Sequence, residues 1–274
     1  LYSYWFNDWS TVLSILKYKG LIKSYISRAH GFDLYRERSK TGLIPWRYFQ
    51  LKNVERVFAI SKQGRTYLEN NYPNYLDKFH QSYLGTRQMP LGPNPVDGEI
   101  HVLSCSSVIP LKRIGLILKA VQEMTSVTWT HFGDGSDFDT LKGDSEIIDN
   151  PEVNIVLKGH CPNTEVLKFI SENAISCFVN VSTSEGLPVS MMEALSFGIP
   201  IIATDVGGVS EMISETTGIL LDANPEVHEI KGSIERLAKN MNGEAKRQAI
   251  QDVWKKNFSA DANYRDFLQY LCRS

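Results

Sequence analysis

Cysteine is scarce in this chain of 274 residues, with four in all: Cys105, Cys161, Cys177 and Cys272. None pairs in a CxxC, and no Cys/His cluster has the spacing of a zinc site, so neither a disulfide framework nor a structural metal is expected. Such sparing use fits a reducing compartment, and the expected location is cytoplasmic. Long apolar runs are also lacking, since none approaches the ~18 residues that read as a membrane span. Excess charge of one sign is absent too: 29 Lys and Arg stand against 31 Asp and Glu, a formal net charge of −2. Proteins that grip a nucleic-acid backbone are usually basic, so no nucleic-acid partner is expected. No internal repeat of ~20–50 residues occurs. There is no initiator Met, and the text opens in mid-pattern at Leu1-Tyr2-Ser3-Tyr4-Trp5, which leads us to expect further sequence upstream. What is present is ordinary globular composition, 42% hydrophobic and 22% charged, in a chain long enough to bury a sizeable core.

From about residue 99 onward, strand-like and helix-like segments alternate. Strands are predicted over 99–106, 127–132, 153–157, 175–181 and 199–203. Helices are predicted over 112–123, from near 136, and over 164–170 and 188–197, the last with Pro188 at its first turn. The run 175–181 is almost continuously apolar, as a parallel strand covered on both faces requires. This βαβα rhythm predicts a parallel sheet with helices on both faces. Residues 1–85 show a shorter version: a strand end at 1–5, strands over 22–27 and 54–60, and helices over 11–18 and 62–70. The Pro- and Gly-rich stretch 85–98 reads as a linker. Tyr264, Phe267, Leu268 and Leu271 give the tail, 260–272, helical spacing. Cys105 and Cys177 sit in strand-like runs and read as small buried apolar residues.

The chemistry concentrates in Ser182–Glu211, STSEGLPVSMMEALSFGIPIIATDVGGVSE. A strand ends, the chain turns at Glu185-Gly186-Leu187-Pro188, and a helix begins. Orphan N–H groups at a helix start, backed by the positive end of its dipole, favour a phosphate. Gly186 lets a ligand approach the backbone closely. Glu185 precedes that helix and Glu193 lies inside it. Acids on either side of a phosphate-binding helix start suit hydroxyls flanking a diphosphate, such as those of a sugar and a ribose.

Glu185-x7-Glu193, followed by Gly198-Ile199-Pro200 and Asp205-Val206-Gly207-Gly208, resembles the signature of retaining GT-B glycosyltransferases of family 4, the group 1 glycosyltransferases. The resemblance covers the C-terminal half fully and the N-terminal part in part. It implies a complete doubly wound C-terminal domain that binds the nucleotide sugar, here 91–258. A partial Rossmann-like N-terminal domain on the acceptor side would occupy 1–90, with a terminal helix, 259–274, crossing back to it. The residue matching Glu185 would contact hydroxyls of the donor sugar, and that matching Glu193 would hold the ribose. Amides from Leu187 to Ser190 would cap the distal phosphate; Pro188 has no N–H, which leaves Leu187, Val189 and Ser190.

Further segments carry the same resemblance. In Val108–Arg113, Lys112 matches a family lysine that lies on the diphosphate. Ser107 stands where the family has Arg, and Arg113 is a candidate to compensate. Gly133-Asp134-Gly135 resembles the family's HxGxG-like turn in the donor cleft; Phe138 at the third-Gly position argues against a dinucleotide fingerprint. Gly159-His160-Cys161-Pro162-Asn163 resembles the loop beside the base, which places His160 near the donor. His30-Gly31-Phe32-Asp33 resembles the family's His-Gly-x-Asp element, so His30 joins Glu185 as a candidate catalytic residue, and Ser61 ends a strand of the same region. If the first domain is incomplete, Leu1–Trp5 and His30 should lack their partners.

The implied activity is transfer of a hexosyl unit from a UDP- or GDP-sugar to a glycan or lipid-linked acceptor. The expected setting is surface polysaccharide synthesis, with no metal and no further cofactor. Asp137-Phe138-Asp139 has the letters of a metal-binding DxD but reads as an acidic first turn. A non-catalytic nucleotide-sugar-binding module and a sugar-nucleotide epimerase are the competing readings. The basic, apolar-interleaved Lys17–Lys23 adds a possible peripheral contact with an anionic membrane.

Overall fold

The computed structural model describes residues 1–39, 41–240 and 243–272. Contacts divide the chain into two compact units: residues 1–85, 185–187 and 260–274 in the first, residues 86–184 and 188–259 in the second. The last two residues of the expected 259–274 tail lie outside the described residues.

The first unit holds a parallel sheet in the order β1 (Tyr2–Ser3), β2 (Ile26–Ala29), β3 (Arg56–Ala59), β4 (Phe79–Gln81). Its helices are α1 (Asp8–Tyr18), α2 (Gly31–Leu34), α3 (Arg47–Asn53) and α4 (Lys62–Asn71). The strand expected over 22–27 starts later, at Ile26, because α1 ends in a glycine turn. Gly20 takes φ 72°, its N–H bonds the Lys17 carbonyl, and the Leu21 N–H bonds the Leu16 carbonyl. Beyond that turn β2 is buried despite its polar letters: Ser27 and Arg28 are both inside. The core gathers Phe6, Tyr25, Leu34, Leu51, Val57 and Leu68. The terminal helix, numbered last in the chain, presses Phe267 onto Ile26 and Phe58.

The second unit is built on six parallel strands: β5 (Ile100–Cys105), β6 (Val127–Phe132), β7 (Val153–Leu157), β8 (Cys177–Asn180), β9 (Ile201–Thr204) and β10 (Gly218–Leu221). Their spatial order is β10-β9-β8-β5-β6-β7, with all pairings parallel. The helices are α5 (Ile114–Val121), α6 (Phe138–Glu146), α7 (Asn163–Glu172), α8 (Val189–Ser196), α9 (Val227–Asn240) and α10 (Glu244–Asn257). The tail is then α11 (Ala260–Cys272). Strands β8 and β9 are buried along their whole length, the pattern of a sheet covered on both faces. Trp129, Ile117, Val121, Ile202 and Ile234 fill the core on one side of it.

Two expectations are corrected here. The single helix expected over 112–123 is a 3-10 turn, Pro110–Lys112, then Arg113 in the left-handed region (φ 50°), and only then α5. The stretch read as a linker straps down the second unit instead. Thr86 bridges Ser259, the Trp254 indole donates to the Thr86 hydroxyl at 2.9 Å, and the Gly92 N–H bonds the Phe197 carbonyl at 2.9 Å. The architecture is mixed α/β, with both sheets parallel.

Candidate functional site

In an open parallel sheet, ligands bind beyond the carboxyl ends of the strands, where the strand order reverses. In the second unit that point lies at β5, which pairs with β6 on one side and β8 on the other. The loops leaving β5 and β8, residues 106–113 and 181–184, meet there. The Thr183 N–H bonds the Leu111 carbonyl at 2.8 Å. Arg113 clamps the same junction. Its Nε donates to the Val181 carbonyl at 2.6 Å, and its terminal nitrogens donate to the carbonyls of Ser182 and Ala223 and the Asn224 side chain. Four protein acceptors thus take up the guanidinium that was expected to compensate for Ser107. Its geometry holds the loop, which also answers how a cation tolerates a helix start. Lys112 precedes it, half-exposed, at the end of the 3-10 turn.

The glycines of Gly133-Asp134-Gly135 are required by backbone contact. Gly133 has φ 137°, and a Cβ there would sit 1.8 Å from the Ser106 carbonyl oxygen; one on Gly135 would sit 2.3 Å from that of Val108. The Val108 N–H bonds the Asp134 carbonyl, and the Gly133 N–H bonds the Gly159 carbonyl at 2.8 Å. One turn therefore ties together the loops after β5, β6 and β7. His160 follows Gly159 and is exposed.

Helix α8 opens on this junction. Pro188 stands just before it as the capping residue, not at its first turn, and the first intrahelical bond runs from the Met192 N–H to the Pro188 carbonyl. The N–H groups of Val189, Ser190 and Met191 thus have no carbonyl one turn back within the helix. Glu193, one turn further on, is half-buried and accepts from the Asn163 side chain at 3.0 Å. Burial pushes its carboxyl above the ordinary value, and the Asn163 bond pulls it back. The Cys105 thiol at the end of β5 is pushed up to about 11, first by burial and then by the charges of Glu193 and Cys161. In the sequence Asn163 stands out only as the last residue of the loop beside the base, with no role of its own, although Asn directly after Pro at a helix start is a visible signal.

Residues 185–187 group with the first unit. There, Glu185 and Leu187 are buried. The Gly186 N–H nitrogen lies 3.2 Å from where a Cβ on Gly31 would stand, and the Arg38 guanidinium is closer still. Arg38 and Glu185 interact electrostatically, so Arg38 is a second residue that pattern reading missed. His30 has ring neighbours, but among the described residues both of its ring nitrogens are buried without a hydrogen-bond partner, in keeping with the expectation that it lacks partners. Its ring lies 4.1 Å from the Trp5 ring and 4.7 Å from the Tyr4 ring, and its Nδ1 is 3.8 Å from the Asp33 carboxylate. Asp33 holds the turn by accepting from the N–H groups of Phe6 and His30, at 2.7 and 2.5 Å. Ser61 caps α4, its hydroxyl accepting from the Gly64 N–H at 2.9 Å, which is a structural duty. Among the described residues, no group of three or more His, Cys, Asp or Glu is placed to hold a metal ion, and no helix is long and apolar enough to cross a membrane.

The chain is 24% identical over 240 residues to a glycosyltransferase of Methanocaldococcus jannaschii named MJ1178, covering 85% of this chain and 65% of that one. It is 32% identical over 111 residues to the GtfA subunit of a Streptococcus pneumoniae peptide N-acetylglucosaminyltransferase, covering 38% of this chain and 20% of that one. The chain thus spans less than two thirds of the length of these relatives. Among solved structures, Anabaena HepE in complex with UDP superposes with a TM-score of 0.77 at 16% identity, over 97% of this chain and 76% of that one. Residues 92–254, more than half of the chain, match the family described as Glycosyl transferases group 1, and the chain belongs to that family.

Proposed function

We propose that the chain is a retaining glycosyltransferase of family 4 that moves a hexosyl unit from a UDP- or GDP-sugar to a glycan or lipid-linked acceptor in surface polysaccharide synthesis. The observation that carries this reading is Glu193: a half-buried carboxylate, held by Asn163, one turn inside a helix whose first amides are unpaired within it. A carboxylate so placed accepts from paired hydroxyls, and the amides beside it suit a phosphate. The relatives support the donor class. HepE is described in complex with UDP and glucose, and the pneumococcal GtfA in complex with UDP and GlcNAc.

In this reading the amides of Leu187, Val189 and Ser190 bind the distal phosphate and Lys112 adds a positive charge. Together they stabilise the departing diphosphate without a metal. Each such preorganised donor is worth about 3 kcal/mol in other enzymes. Glu193 anchors the ribose and Glu185 the sugar hydroxyls. In this reading neither acts as a nucleophile: the acceptor hydroxyl attacks the anomeric carbon on the face the diphosphate leaves, and its proton passes to the departing phosphate oxygen. His30 supplies a polar group near the reacting carbon.

The test is a titration of UDP and GDP into the chain and its Glu193→Gln variant, followed by proton NMR of the product of a donor and acceptor panel. We expect saturable binding of one nucleotide, at least about ten-fold weaker in the variant, and a product with the donor's anomeric configuration. Equal binding by the variant removes the ribose assignment, and an inverted product removes the retaining one.

A further inference from the structure

Arg28 is a cation buried without a counter-ion. It lies on β2, is 1% exposed, and makes no ion pair among the described residues. Its Nη2 donates to the Ser82 hydroxyl at 3.0 Å, its Nε is buried with no partner, and Nη1 makes no hydrogen bond among the described residues. Burial holds its pKa below the ordinary value, and the groups that oppose this are the phenols of Tyr2, Tyr264 and Tyr4, not a carboxylate. Burial pushes Tyr2 itself up to about 12 and Tyr4 in the same direction, so both stay protonated and bring no negative charge. The Phe267 ring, centred 4.1 Å from the guanidinium carbon, gives the cation one favourable face. Buried charges are otherwise paired. Arg47, the other buried arginine of this unit, has the charge of Asp33 beside it.

The strand registers place this charge. Arg28 pairs with Phe58 of β3, which pairs with His80 of β4, so the three stand in one row on the face that α11 covers. On the other side Ser3 pairs with Ser27, and Tyr4 comes next along the chain. Helix α11 closes the middle of the face with Phe267 and Tyr270. At its start, the Tyr264 ring is centred 5.7 Å from the Arg28 guanidinium carbon. Tyr264 and Tyr4 are both exposed. Arg28 is the last residue but one of β2, so the opening lies at the carboxyl ends of the strands, where parallel sheets bind ligands. An anion arriving there meets two phenol hydroxyls on its way to the guanidinium.

Charge and shape select the ligand. One guanidinium among neutral hydroxyls balances a single negative charge. A phosphate monoester carries about −1.5 to −2 at neutral pH and would leave an excess inside. A carboxylate carries one charge, and its two oxygens match the parallel N–H groups of a guanidinium. The surface beside the opening is aromatic. The Trp5 ring lies 4.8 Å from that of Tyr4 and 4.9 Å from that of Phe32, which is exposed. The C–H face of a pyranose packs on such rings while its polar substituents stay free to bond. Residues 1–85 carry 13 Lys and Arg against six Asp and Glu, which favours the approach of an anion.

We infer that Arg28, with the hydroxyls of Tyr4 and Tyr264, binds the carboxylate of an acidic sugar unit carried by the acceptor. The carboxylate becomes the counter-ion that Arg28 lacks and accepts from the two phenols, while the sugar ring lies against Tyr4, Trp5 and Phe32. Tyr4 joins this site to His30, whose ring is 4.7 Å from its own. Naming the acceptor as the carrier rests on the proposed glycosyl transfer; the carboxylate site itself does not.

The experiment follows the Arg28 Nε–H resonance of the full chain, made with isotope-labelled arginine and assigned with Arg28→Lys, during titration at constant ionic strength. Glucuronate should shift it saturably and glucose should not. A glucose phosphate monoester should bind at least about ten-fold more weakly than glucuronate. Tyr4→Phe combined with Tyr264→Phe keeps both rings, should leave circular dichroism unchanged, and should weaken glucuronate binding at least about ten-fold. No saturable shift with glucuronate, or equal binding by the double variant, would overturn the site. Tighter binding of the phosphate monoester would overturn the carboxylate assignment. UDP and GDP are titrated into the same sample. A nucleotide that binds while glucuronate does not sinks this inference alone, whereas a glucuronate response without nucleotide binding sinks the proposed donor and leaves the site standing.

Discussion

The two units bury different chemistry. The second hides a sheet whose central strands are apolar letters, such as Cys177-Phe178-Val179 and Ile201-Ile202-Ala203. The first, the shorter of the two, hides Ser10, Ser14, Ser27, Arg28, His30, Asp33, Arg47 and Gln50. Its interior is held by specific bonds: Asp33 to two backbone amides, Arg47 to the Asp33 carbonyl, Ser14 to Tyr25. Apolar burial tolerates small shifts, but a polar network fails when one member is removed. The first unit should therefore be the more sensitive to polar substitution and the second to backbone insult, apart from the polar groups that the second unit also buries, such as His131 and Arg247.

The largest effect is expected from Gly133→Ala. Its Cβ would collide with the Ser106 carbonyl oxygen at 1.8 Å, on a backbone with φ 137°. A loss of about 3 kcal/mol or more follows, measured by urea unfolding of the second unit. Next is Asp33→Ala, which strips acceptors from two buried amides and should cost the first unit about 2–4 kcal/mol. Asp33→Asn, which keeps one acceptor oxygen, should cost less. If both variants cost the same, the polar-network account of the first unit is wrong.

A comparable effect is expected from pH. His131 is fully buried in the second unit, its Nδ1 at 2.8 Å from the Ser104 hydroxyl. Burial pushes its pKa down from 6.5 to about 4, with the backbone carbonyl of Ser106 opposing. The unfolded chain therefore takes up a proton that the folded chain refuses. Stability is full above pH ~6.5 and falls by up to about 3 kcal/mol as pH drops toward ~4. His131→Asn should flatten that window; an unchanged acid slope would show that His131 is not its source. The smallest effect is expected from Trp9→Ser, which should move stability by no more than about 0.5 kcal/mol because the side chain is already exposed.

The same contrast explains what could be read in advance. Strand β7 was expected over 153–157 and is found there, because its apolar letters carry the period of the sheet. In the first unit β2 was misplaced and α3 and β4 were missed. Residues such as Arg28 and Gln50 are buried through partners distant in sequence, which periodicity does not register. Strand β10 and helices α9 and α10 lie outside the segments predicted from sequence. At the site, Glu193 and the helix start were legible as local spacing. Asn163, 30 residues upstream of Glu193, and Arg38 depend on loops brought together by the fold. Arg113 was legible as a cation, but its four acceptors were not.

The account stands on the start of α8 as the seat of a nucleotide's distal phosphate. The direct measurement is amide NMR of the full chain during titration with UDP and GDP. Binding should shift the N–H resonances of Leu187, Val189 and Ser190 together, with the Asn163 side-chain amide moving as Glu193 changes partner. Saturable binding that leaves those amides unmoved, or no binding of either nucleotide, would contradict it.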